Sequence, residues 1–153
     1  MSKVDSKFVL KCLKPFPKSI RDIALGIRTF IWDEYPQANE LIYDNYNAVA
    51  VGWSVTERQG HTFCSFAVSR RKNHNVHFGF YWGAELADPQ KLLIGNGNQY
   101  RYILVKDLES LPIVYLRKLM KEAHKNSLAK VKDKREIVAG KTIFKSESAT
   151  KRS

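Results

Sequence analysis

The sequence predicts one α+β domain, and three observations carry that reading. Apolar residues recur at helical spacing in two stretches, Ile20 to Ile31 and Ile113 to Ala123. Between them lie short runs that alternate apolar with small or polar side chains, the period of a half-buried strand. The links among these runs are too short for crossovers, so neighbouring strands pair antiparallel. At 153 residues and 44% apolar composition, the chain has the commonest domain size and buries roughly 70% of its unfolded surface.

The first stripe, Ile20, Ile23, Ala24, Ile27, Phe30 and Ile31, predicts a helix over about residues 18–34. Its start is marked either by Ser19 with Asp22 three residues on or by Pro17. Pro36 limits its end, because the residue before a proline is pushed out of the α region. Leu41-Ile42-Tyr43 is a short apolar segment running into the turn formers Asp44-Asn45-Tyr46-Asn47. Strands follow at Ala48–Val55, Phe63–Ser69 and Val76–Phe80, joined through Thr56–Gly60 and Arg70–Asn73 into an antiparallel meander. Trp82-Gly83 breaks the last of these. Asp88-Pro89 opens a short helical turn, Gly95-Asn96-Gly97-Asn98 forms a loop, and Tyr100–Val105 reads as another strand. Pro112 begins a second helix with Ile113, Leu116, Met120 and Ala123 on one face. Beyond Lys125 the periodicity fades, leaving Ile137, Val138, Ile143 and Phe144 as the apolar clusters. The expected division is a basic segment 1–14, a domain 15–126, and a basic, partly disordered tail 127–153 with at most one docked apolar segment.

The net charge of +11 is concentrated at the ends: +3 in residues 1–14, +6 in 125–153 and +2 in all that lies between. Such ends suit weak, salt-sensitive association with nucleic acid. No apolar run approaches the ~20 residues needed to span a bilayer, and lysines interrupt the start where a secretory signal would be continuously apolar. Cys12 and Cys64 are too few for a disulfide framework. The expectation is a cytoplasmic protein with reduced thiols and no membrane partner.

Few residue patterns suggest chemistry. His74-x-x-His77 and His61-x-x-Cys64 have metal-binding residue types, but on a strand a spacing of three sends the side chains to opposite faces. Neither a metal nor a cofactor is predicted. Gly95-x-Gly97 stands after a helical turn and before a strand, the reverse of a dinucleotide fingerprint, and reads as a turn. Gly140-Lys141-Thr142 lacks the earlier glycine of a phosphate-binding loop, since Arg135 stands there. Tyr43 to Asn47 combines phenols, amides and a carboxylate, either as a self-capped turn or as one wall of a groove. No catalytic residue is assigned.

The order of motifs resembles the YdhG-like domain, a bacterial family of unknown function. The matching pieces are Pro17 with the first stripe, ELIYDNYNAVAVGW at Glu40–Trp53, VHFGFYWGAELADP at Val76–Pro89 and LLIGNGNQYRYI at Leu92–Ile103. In the last piece Ile94 stands for the family's usual Glu and Asn98 for its Lys. The resemblance implies a frataxin-like two-layer sandwich, a curved antiparallel sheet with helices on one face. It also raises an iron-chaperone role, but Asp22, Asp33 and Glu34 on the first stripe are balanced by Lys18, Arg21 and Arg28.

The function expected from these residues is that of a non-enzymatic binding domain for a small polar or anionic ligand or a protein partner. Its groove is expected to be lined by Tyr43, Asn45, Asn47, Trp82, Tyr100 and Arg101, with Gly95 and Gly97 bending the chain to bring Arg101 in. The alternative is nucleic-acid association through the basic ends. An uncharacterised enzyme is a third reading.

Overall fold

A computed structural model of the chain describes residues 7–152. Within them three helices pack on one face of an open, six-stranded mixed sheet. Helix α1 spans Lys7–Leu13 and buries Val9, Cys12 and Leu13, which share one side of a helix at spacings of three and four. Pro15 follows at once. Helix α2 spans Lys18–Glu34 and buries Ile23, Ala24, Ile27 and Ile31. Pro17, not Ser19, opens it: the Pro17 carbonyl accepts from the N–H groups of Ile20 and Arg21, both at 3.0 Å. Helix α3 spans Ile113–Lys130 and buries Leu116, Leu119, Met120 and Ala123.

The strands are β1 Asn39–Asp44, β2 Ala48–Ser54, β3 Thr62–Ser69, β4 Val76–Tyr81, β5 Tyr100–Leu104 and β6 Thr142–Glu147, in the spatial order β5-β4-β3-β2-β1-β6. Strands β1 to β5 are antiparallel throughout. Ile42, Val51, Phe66, Phe78 and Ile103 stand opposite one another along one row, so their side chains share a face. That face forms one core with α2 and α3. Phe30 and Trp32 of α2 meet Phe78 and Trp53 edge-on, and His124 of α3 stacks on Tyr35. A register shift between Trp53 and Ser54 leaves both Phe63 and Cys64 buried in this core.

Three expectations are corrected here. The sheet is not wholly antiparallel, because β6 lies parallel to β1 at the edge. A parallel neighbour needs a crossover, and α3 supplies it. The ends of the domain also lie elsewhere. Residue 126 falls inside α3, β6 belongs to the sheet, and Phe8 of α1 stacks on Phe144 of β6 at 5.5 Å. The described part of the N-terminal segment is likewise core; residues 1–6 lie outside the described residues. The Asp88-Pro89 segment is a turn and not the start of a helix: the Lys91 N–H donates to the Asp88 carbonyl at 2.9 Å, Lys91 has φ 53°, and the Asp88 carboxylate accepts from the N–H groups of Leu92 and Leu93 at 3.0 Å each.

Candidate functional site

The strands alternate, so the face opposite the helices receives Asn39, Leu41 and Tyr43 of β1, Ala48, Ala50, Gly52 and Ser54 of β2, Ser65, Ala67 and Ser69 of β3, His77, Gly79 and Tyr81 of β4, and Tyr100, Tyr102 and Leu104 of β5. The rings and alanines here are all half-buried. The helices spend their apolar faces on the other side. None of these side chains is acidic.

The small residues let the rings lie flat. Tyr100 crosses Gly79 so closely that a Cβ there would sit 2.3 Å from its ring. Tyr100 stacks on Tyr102 with centroids 5.7 Å apart, and Tyr102 stacks on His77 at 4.0 Å with the planes only 4° apart. Burial pulls the His77 pKa below its ordinary value, which keeps the ring neutral. Ser65 lies within hydrogen-bonding reach of both Tyr81 and Tyr100. The Tyr43 hydroxyl is buried with no hydrogen-bond partner among the described residues. Burial first, and neighbouring Tyr81 second, push its pKa up to about 12.

The ring column ends at a recess of about 370 Å³. Ala48 and Ala67 line it together with His77, Ser69, Arg71, Asn47, Asn73 and Asn75. Three amides, a hydroxyl and a guanidinium therefore surround the edge of a neutral aromatic ring. Arg152 donates from Nε to the Asn47 side-chain oxygen at 2.9 Å, bringing a C-terminal cation to the rim. A larger recess, about 490 Å³, lies between α1 and α2. Its polar groups are mostly long flexible cations, with Asp22 already paired to Lys18 at 2.8 Å, and it has no planar wall.

The residues expected to form one groove are dispersed. Tyr43 and Tyr100 share the open face. Asn47 lines the recess, while the Asn45 carbonyl accepts from Arg70 Nε at 3.1 Å in the β1–β2 turn. Arg101 stands on the helix side, in the row of Glu40, Trp53, Cys64 and Phe80. It is separated from Asn47 by ~14 Å across the sheet and ~20 Å along it. Its side chain packs on Gly83 and donates from Nε to the Gly97 carbonyl at 3.1 Å, so it braces the loop. Trp82 has a left-handed backbone (φ 56°), and Lys130 Nζ sits 4.9 Å from its ring centroid. Gly95 does need glycine, with φ at +112°, but Gly97 has an ordinary φ and open space around it.

Sequence reasoning missed His77, Tyr81, Tyr102 and Arg71. The signal was there: Ala48, Ala50, Gly52, Ser65, Ala67 and Gly79 are the small alternate positions of three adjacent strands. Small residues on one face of a sheet leave room for neighbouring rings. His74 and His77 diverge, but not through strand spacing: His74 lies in the turn before β4 with φ 46° and meets Phe16 edge-on, while His77 on β4 stacks on Tyr102. Of the acids on the first helix, Asp22 pairs with Lys18 and Glu34 with Arg117. No described helix is long and apolar enough to cross a membrane. Comparisons with protein-family models, with curated proteins and with solved structures find no match.

Proposed function

We propose that this chain is a non-enzymatic binding domain whose ligand contacts the open face of the sheet. One observation carries the reading: among the described residues no helix covers the Tyr100–Tyr102–His77 ring column, which runs into a recess lined by amides. Stacked rings offer a flat apolar wall, and amides offer both donors and acceptors at its edge, the combination suited to a small, planar, polar ligand. The recess is lined by a single imidazole, His77, whose pKa burial lowers, and by no carboxylate that would orient it, which favours binding over acid–base chemistry. Arg101 is occupied by the loop it braces, so the anion clamp once expected of it is not part of this reading. The motif order of Glu40–Trp53, Val76–Pro89 and Leu92–Ile103 further leads us to group the chain with YdhG-like domains.

The test is backbone amide shift mapping with adenosine, uridine, nicotinamide, benzoate and tryptophan as separate probes. Shifts concentrated at Ala67, Ser69 and His77, and absent in a folded Ala67→Trp variant that fills the recess, are the expected result. Saturating probes that leave those amides unmoved would refute the assignment.

A further inference from the structure

The composition of the recess is more specific than a generic planar site, and the charge around it narrows the ligand further. His77 has one face on Tyr102 and borders the recess, so a planar group seated there would extend the column by one ring. Asn47, Asn73 and Asn75 line the same recess, and side-chain amides are groups that read the edge of a nucleobase, although the Asn47 oxygen already accepts from Arg152. Arg71 belongs to the recess, and Arg152 is held at its rim by two contacts to Tyr46 besides its bond to the Asn47 side-chain oxygen. Its backbone N–H donates to the Tyr46 carbonyl at 2.9 Å and its guanidinium lies 5.7 Å from the Tyr46 ring centroid. The chain carries +11 overall, and the strand side chains of β1 to β5 on this face include no acid that would repel phosphate.

We propose that the open face binds single-stranded nucleic acid, with one unpaired base continuing the Tyr100–Tyr102–His77 column in the recess and Arg71 and Arg152 taking the adjoining phosphates. The inference rests on the open-face reading and names its ligand class. Unpaired bases are required, because a duplex buries its base faces in its own stack and presents only edges. Stacking on a ring platform is tolerant of sequence, and the backbone contributes a salt-dependent share. Arg152 thereby acts beside the recess, as part of one surface.

The experiment uses the full chain and a fluorescein-labelled 12-nucleotide RNA of mixed sequence. A DNA of the same sequence, its duplex, and inorganic polyphosphate of similar charge serve as competitors. The single strand should bind at low salt with log affinity falling against log salt at a slope of about −1.4, the value for about two phosphate contacts. Tyr102→Ala, with its thermal midpoint checked, should weaken that binding about tenfold or more while leaving polyphosphate affinity unchanged. Arg71→Gln, at an exposed turn position, should lower the slope by about 0.7 and leave the fold intact. Polyphosphate competing as well as the oligonucleotide, or a Tyr102→Ala chain that binds RNA as tightly as the parent, would overturn the proposal in favour of charge alone. No oligonucleotide binding at low salt would also overturn it. In that case shifts at Ala67 with the small planar probes would leave the open-face reading standing, and their absence would remove both.

Discussion

At the scale of single residues, the most consequential pair outside the recess is Arg28 with Glu40. The carboxylate takes Nε at 2.6 Å and a terminal nitrogen at 3.0 Å, and it also accepts from the Thr142 hydroxyl at 3.0 Å. Both side chains are almost wholly buried, 6% and 0% exposed. One carboxylate therefore ties α2, β1 and β6 together. Desolvating two charges costs about as much as their attraction returns, so the pair gives little net stability, but breaking it leaves an uncompensated buried charge. Arg28→Ala should cost about 3–5 kcal/mol, while Arg28→Met combined with Glu40→Leu should stay close to the parent or exceed it. Denaturant midpoints of the two singles and the double decide the matter. A double variant as unstable as the singles combined would mean that the ion pair itself holds these elements.

At the scale of elements, β6 gives the sharpest test of how the sheet is closed. It covers the β1 edge, supplies Phe144 to Phe8, and is anchored where Asn39 donates to the Val138 carbonyl at 2.8 Å and accepts from the Lys141 N–H at 3.1 Å. A chain ending at residue 139 leaves Leu41 and Ile42 beside an open row of unpaired N–H and C=O groups, the usual template for edge-to-edge association. We expect a lower thermal midpoint and self-association on gel filtration. A monomeric truncate with the parent's midpoint would make β6 an ornament. The segment was hard to read because Ile143 and Phe144 are its only apolar pair, and an edge strand can rest on one neighbour with little alternation of its own. α1 was obscured in the same way: Lys11 separates Val9 from Cys12 and Leu13, which meet only once the turn is wound. The longer elements were legible. The Ile23, Ile27 and Ile31 stripe lies where helical spacing puts it, and Ile27→Ala should cost ~2–5 kcal/mol in thermal or denaturant unfolding. The recess was only partly legible: small alternate positions mark a face with room for rings, but which rings enter it depends on register. Only the pairing of Ala67 with His77 and of Gly79 with Tyr102 shows which rings share a face.

At the scale of the whole molecule, the buried titrating groups define a pH window for the fold. His77 and His124 are both held below their ordinary value of 6.5 by burial, against Tyr102 in one case and Tyr35 and Phe63 in the other. Between the folded and unfolded values the unfolded chain binds more protons, so stability is full above 6.5 and is lost as pH falls through the folded values. Asp88, Glu57 and Asp133 are lowered too, and add a further loss below about 4. The net charge of +11 deepens the acid limb, since each new proton adds to an existing repulsion. The alkaline limb has the opposite sign. Burial raises Cys12 from 9.0 to about 12 and Cys64 well above 9.0, so the unfolded chain loses these protons first and stability falls as pH rises past about 9. Tyr43 and Tyr100, raised from 10.0 chiefly by burial, steepen that fall. The thermal midpoint should therefore form a plateau from about pH 6.5 to 9 and drop on both sides. His77→Phe with His124→Phe should flatten the first part of the acid limb, and Cys12→Ala with Cys64→Ala should move the alkaline fall upward. A parent chain whose midpoint held constant from pH 7.5 to 5 would show that neither imidazole is desolvated, and with it that the His77 ring is not held neutral against Tyr102.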